Sequence, residues 1–170
     1  AIEGVRFRDA GSTQPILVLA GVIPQSLPTI VAAGLTPVVT DASVLPELSR
    51  LAGSQRVEVG LHVKLDAGMG RQGVLPADFI ELLKAARQLP HLRVDGVMAH
   101  FPLSDDRQSD NSAAVLQTFL AATRTLAECG IGKCCLHLAN SGGLFYVAGA
   151  RLDMVRPGIA LYGYYPDGAP

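Results

Sequence analysis

Charge is scarce in this chain. Only 17% of its 170 residues are Asp, Glu, Lys or Arg, and the two signs nearly cancel to a net charge of −1. That balance leaves no electrostatic footprint for nucleic acid, and no run of lysine and arginine marks a membrane surface. Long apolar runs are missing too. No stretch approaches the roughly 18 uninterrupted apolar residues of a membrane span, and Ala1-Ile2-Glu3-Gly4-Val5-Arg6 has no signal-peptide pattern, so a cytoplasmic protein is expected. Cysteine is sparse and unpatterned: Cys129, Cys134 and Cys135 are odd in number, with no CxxC and no paired histidine. They are expected as reduced thiols in or beside a buried strand, with no metal site. Low-complexity segments and Pro/Gly/Ser linkers are lacking as well, which points to one domain over residues 1–170.

What is present is apolar and periodic. The hydrophobic share is 49% with a mean hydropathy of +0.31, the signature of strands buried on both faces. Short apolar runs at 16–20, 37–40, 57–65, 94–100, 135–140 and 152–156 alternate with helical patterns at 25–33, 43–52, 77–89, 112–129 and 142–147. Alternation of this kind predicts an α/β fold of about six βα units around a parallel sheet. Pro76 and Asp78 suit the first turn of a helix, while Gly34 and Gly130 fall where C-terminal glycines belong. Six is an awkward number for a barrel, since six tilted strands do not close an eight-stranded one and would leave two edges bare.

The candidate chemistry gathers at the carboxyl ends of these strands. In Val59-Gly60-Leu61-His62-Val63-Lys64-Leu65-Asp66, alternation sends the apolar set toward the helices and His62, Lys64 and Asp66 inward. A buried lysine must be paired or neutralised, and Asp66 is the nearest partner. The strand then enters Ala67-Gly68-Met69-Gly70-Arg71-Gln72-Gly73, where glycines at 68, 70 and 73 allow close backbone approach to a ligand and Arg71 offers a guanidinium fork for a carboxylate. Val97-Met98-Ala99-His100-Phe101 ends another strand on a histidine. Leu136-His137-Leu138-Ala139-Asn140-Ser141-Gly142 carries a second histidine and a pattern that also suits a helix cap. The last segment is Asp153-Met154-Val155-Arg156-Pro157-Gly158-Ile159-Ala160-Leu161-Tyr162-Gly163.

Two of these segments, 64–73 and 153–163, together with His-x-x-Asn-Ser at 137–141, resemble the alanine racemases. The likeness covers nearly the whole chain and implies a partial TIM (β/α)8-type barrel, open at two edges: strands three to eight of that family's N-terminal barrel domain, beginning inside the preceding helix at 1–8. It implies pyridoxal 5'-phosphate as cofactor, alanine as substrate, a homodimer, and a role in supplying D-alanine for cell-wall peptidoglycan. By resemblance, Arg156 faces the pyridine nitrogen and keeps it unprotonated, and His137 orients that arginine. Ser141 and the backbone N–H groups of Gly158 and Ile159 hold the phosphate, beside Asn140. His100 lies against the ring, and Arg71 reaches the phenolic oxygen and the substrate carboxylate. Lys64 stands where the family often carries a carbamylated lysine, so carbamylation and a simple pair with Asp66 are both open.

The family's Schiff-base lysine and tyrosine base fall outside the matched stretch. Lys84 and Lys133 lie in no such motif, and Tyr162, Tyr164 and Tyr165 belong to the last strand segment. The chain by itself is therefore expected to be inactive, and its bare sheet edges to favour self-association. Rival readings are a broad-specificity amino-acid racemase, a non-catalytic pyridoxal phosphate barrel protein, and plain scaffold. The Met-Gly-Arg turn and the Arg-Pro-Gly segment speak against the second.

Overall fold

Three prolines set where the early helices begin. Proline lacks the N–H that an interior helical position must donate, so each sits in a first turn, where that donor has no partner anyway. Pro28 enters α2 (Leu27–Ala32) behind a 3-10 turn at Pro24–Ser26, and Pro46 enters α3 (Leu45–Gln55) behind one at Ala42–Val44. Pro76 opens α4 (Pro76–Gln88), with Asp78 in its first turn. The computed structural model describes residues 1–168. Helix α1 (Ile2–Asp9) comes first, and α5 (Asn111–Thr123) and α6 (Ser141–Tyr146) complete the set.

Between the helices run β1 (Leu17–Val18), β2 (Thr36–Val39), β3 (Val59–Lys64), β4 (Leu92–Met98) and β5 (Cys135–His137). Every pairing is parallel, in sequence order from β1 to β5. The sheet curls into a half-barrel with helices on its outer face. On β3 the apolar set Val59, Leu61, Val63 and Leu65 joins one core with Leu48 of α3, Phe79 and Leu83 of α4, and Phe119 of α5. The opposite set is buried inside, His62 being 8% and Lys64 3% exposed.

One irregularity matters for the site. Leu61 pairs with Val94 but His62 pairs with Gly96, so Asp95 is an extra residue, bulged out of β4. The bulge switches the phase of the strand: Leu92 and Val94 face the helices before it, Val97 and Ala99 after it.

Several sequence expectations shift here. Five strands form among the described residues rather than six. The stretch 152–156 makes a lone parallel bridge, Met154 to His137, with backbone bonds from Asp153 to Leu136 and from Arg156 to Ala139. Leu152 is in a left-handed conformation at its start and Pro157 follows its end, so no ladder propagates. Strand β1 shrinks to two residues. Helix α5 stops at Thr123 instead of 129, where the hydroxyls of Thr123 and Thr125 bond back to the carbonyls of Leu120 and Ala122 and compete with the helical pattern.

Candidate active site

The turn that follows β3 is closed by its own backbone. Asp66 N–H donates to Val74 and Val74 N–H donates to Lys64, so residues 66–73 form a loop pinned at its neck. Glycines 68, 70 and 73 all adopt positive φ, and a Cβ on Gly73 would lie 2.7 Å from Asp66 N. These glycines are there for the turn itself. Inside it, the Asp66 carboxylate accepts N–H bonds from Gly68 and Gly70, each 3.0 Å. Burial works against its ionisation, but the N–H groups of Gly70 and Gly68 hold it below the usual carboxylate range.

Asp66 is therefore not the hydrogen-bonding partner of Lys64, which corrects that reading of the sequence. Lys64 Nζ instead donates to Gln72 Oε1 at 3.4 Å. Burial first, and then the nearby charges of Arg71 and Arg156, push the Lys64 ammonium below its ordinary pKa, with Asp66 pulling the other way. Three cationic side chains, the buried Lys64, the half-buried Arg156 and the exposed Arg71, line one cleft, an arrangement that calls for an anion.

Arg156 sits at the centre. Its backbone N–H reaches Ala139 at 2.8 Å, and its guanidinium donates to Ala99 O (2.8 Å), Leu138 O (3.2 Å) and His137 Nδ1 (2.5 Å), with a longer contact to His100 Nδ1 at 3.4 Å. Burial draws it down to about 10, so it stays charged at neutral pH. His137 is wholly buried, and its far nitrogen meets His62 Nδ1 at 2.7 Å. Burial, then Arg156 and His62, lower His137 to about 3. Burial and the charges of Arg156, Arg71 and Lys64 lower His100 to about 4. Both imidazoles are neutral near pH 7.

Asn140 takes the structural part of its segment. Its side-chain oxygen caps α6 through Gly143 N–H (2.9 Å) and accepts the Ser104 hydroxyl (2.6 Å), while its amide nitrogen faces His100 Nε2 at 3.5 Å. Ser141 is more telling. Its hydroxyl accepts N–H bonds from Gly158 (2.9 Å) and Ala160 (3.2 Å). With both lone pairs engaged, the hydroxyl can only donate, and a donor of that kind suits an anion. Space beside Gly158 is open, since a Cβ there would meet nothing within 4 Å.

The expected residues fall on two adjoining clefts. One, of about 400 Å³, is lined by Met69, His100, Asn140, Ser141, Arg156, Gly158 and Ile159 among others. The other, of about 380 Å³, is lined by Lys64, Arg71, Gln72, His100 and Arg156 together with Leu19, Ala20 and Met98. His100 and Arg156 are common to both. His137 stands behind Arg156 and lines neither. Sequence reasoning missed Gln72, Ser104 and Gly96, and it placed His62 inside without its partner. Only Gly96 carried a signal, as a glycine inside an apolar strand.

Fold and site together define a β/α-barrel domain whose polar side chains gather at the carboxyl ends of its strands, the end where such barrels do chemistry. The chain belongs to the family described as alanine racemase, N-terminal domain, which it matches over residues 1–166. It is 31% identical over 168 residues to the alanine racemase of Treponema denticola, a match covering 97% of this chain and 44% of that protein. The solved alanine racemase of Bacillus anthracis with bound L-Ala-P is 29% identical at a TM-score of 0.88, covering 98% of this chain and 43% of that one. The alanine racemase of Bartonella henselae, solved with covalently bound pyridoxal phosphate, shares the fold at a TM-score of 0.81 and 23% identity over 99% of this chain and 48% of that one. The chain spans 43–44% of the length of the curated relatives it matches.

Proposed function

We propose that the full protein interconverts L- and D-alanine with pyridoxal phosphate, and that this chain supplies the barrel wall of the site. The supporting observation is the pair of clefts joined at Arg156. One end offers the Ser141 hydroxyl and the open loop at Gly158 and Ile159 for a phosphate; the Gly158 N–H is itself donated to Ser141 Oγ, so it would act through that hydroxyl rather than directly as expected. The other offers Arg71 for a carboxylate, in a wall already rich in positive charge. A flat ligand with an anion at each end fits that charge pattern.

Bound there, the cofactor would supply an electron sink for an amino acid that has lost its α-proton. The chain's own residues tune it. A guanidinium keeps its protons at neutral pH, so Arg156 would hold a ring nitrogen as an unprotonated acceptor. A weak sink favours return of the proton over transfer of the amino group. His100, neutral and on the wall of both clefts, would meet the ring without adding charge. Arg71 orients the substrate carboxylate with its fork.

Lys64 fits the carbamate alternative. A depressed ammonium yields the neutral amine that attacks carbon dioxide, forming an N–C bond and releasing a proton. The resulting carbamate anion would answer the surplus of cations around it. Intact mass of the protein, under added bicarbonate, is expected to show the gain of one carbon dioxide, absent in Lys64→Ala.

The deciding assay is conversion of L- to D-alanine by the full-length protein with added pyridoxal phosphate, run beside serine and lysine. Turnover of alanine well above the others supports the reading. Equal or faster turnover of serine or lysine would move it to a broad-specificity racemase, and no turnover of any would sink it. The same preparation is expected to sediment as a homodimer.

A further inference from the structure

We infer that His62 is a positioning residue for Arg156, acting through His137, and that the bulge in β4 with Gly96 exists to seat it. The chain of hydrogen bonds fixes its own protons. A guanidinium can only donate, so His137 Nδ1, 2.5 Å from the Arg156 guanidinium, must accept. A neutral His137 then carries its proton on Nε2. That nitrogen is 2.7 Å from His62 Nδ1, which accepts in turn, so His62 also carries its proton on Nε2. Remove that acceptor and a buried N–H is orphaned, so the His137 ring loses the bond that fixes its place beneath Arg156.

Seating this second imidazole requires space that an ordinary strand would not leave. Without the extra residue, Asp95 would stand opposite His62, with a Cβ and a carboxylate. With it, Gly96 takes that place, and the Asp95 carboxylate turns to Arg93, 2.9 Å away at Nη2. A Cβ on Gly96 would lie 2.5 Å from His62 Cε1 and Nδ1, and 2.8 Å from the Cys135 carbonyl. The imidazole thus lies directly on bare backbone, its ring centre 4.9 Å from that of His137 at an interplanar angle of 62°. Bulges between parallel strands are uncommon and typically re-aim a side chain near a functional site. A glycine inside a strand marks close approach. Both features meet at one ring. The seating involves no ligand, so only the cofactor measurement below rests on the function proposed above.

The test is nitrogen-15 NMR of the histidine rings in the full-length protein, whose chemical shifts report which nitrogen holds the proton. Ring signals are assigned from His62→Asn, His62→Leu and His137→Gln. In the parent protein at neutral pH, both rings are expected to be neutral with the proton on Nε2. His62→Asn, which retains an acceptor, is expected to keep His137 in one tautomer. His62→Leu, which fills space without one, is expected to split or broaden the His137 signals and to weaken pyridoxal phosphate binding about tenfold, the size of one lost buried hydrogen bond. Gly96→Ala, if folded, should reproduce the leucine pattern, and a folded Gly96→Ala with unchanged His137 signals would remove the seating claim. A proton on Nδ1 of His137, a charged ring, or a leucine variant whose His137 signals match the parent would overturn the inference. Failure of the parent to bind the cofactor, with the tautomer pattern intact, would instead count against the proposed function alone.

Discussion

Arg156 shows what a single side chain does here and how it can be tested. Its guanidinium satisfies two backbone carbonyls and one imidazole in a buried place. Arg156→Lys keeps the charge but loses the planar fork, so it is expected to destabilise the protein by about 1–3 kcal/mol and to weaken cofactor binding by tenfold or more. Denaturant titration and absorbance titration check the two parts, and an unchanged value in both would remove Arg156 from its assigned place. The histidines add a pH dependence. His137 and His100 sit near 3 and 4 when folded, against an ordinary value of 6.5, so the unfolded chain takes up protons first as pH falls. Stability contributed by the neutral rings is present above about pH 6.5 and is lost progressively as pH falls toward about 4 for His100 and about 3 for His137. Denaturation midpoints should fall across that window, and His137→Gln should shallow the slope; a flat profile would contradict the burial of these rings. Arg71, His100, Ser141 and Arg156 could be grouped from the sequence because each follows or lies in a strand-like segment inside a recognisable motif, and all four line the two clefts. Gln72 and Ser104 were not, since a lone Gln–Lys or Ser–Asn contact leaves no pattern along the chain.

Secondary elements were legible where the chemistry is local. Pro76 and Asp78 mark the start of α4 to within one residue of expectation, and Gly34 takes the positive φ expected just after α2; Gly130 takes one too, but in a turn well beyond the end of α5. Edges were poorer where tertiary contacts decide. The stretch 152–156 has a strand's composition, yet it pairs through one bridge because a left-handed Leu152 and Pro157 bracket it. The β4 bulge left one sign, a glycine inside an apolar strand, but nothing in Val-Asp-Gly-Val at 94–97 marks Asp95 as the extra residue. The glycine turn gives the element-scale prediction. Gly73 is held at φ +122 with no room for a side chain, so Gly73→Ala is expected to cost about 1–3 kcal/mol in backbone strain. It should also loosen the neck that carries Arg71. Thermal or chemical denaturation reads the first effect, and limited proteolysis within residues 66–73 the second. A variant as stable and as resistant as its parent would show that the turn is not under this constraint.

At the scale of the molecule, the half-barrel leaves much unpaired. Strand β1 has a neighbour on one side only. Phe145, Ile159, Leu161, Tyr162, Tyr164 and Tyr165 are all exposed, Leu161 and Tyr162 by 75% and 80%. The polypeptide of residues 1–170, expressed by itself, is expected to associate as its concentration rises in sedimentation velocity. One monomeric species throughout would contradict that. The parallel α/β class was legible from the βα alternation, its barrel form from the resemblance and the phase of β3 from its own alternation, whereas the phase of β4, reset by the bulge, emerged only from the fold. The account as a whole stands on Arg156 and Ser141 serving one ligand from two sides. Its most direct test is absorbance titration of the full-length protein with pyridoxal phosphate, compared with Ser141→Ala and Arg156→Ala. The account predicts saturable binding by the parent, weakened about tenfold or more in each variant; no saturable binding, or three superimposable curves, would contradict it.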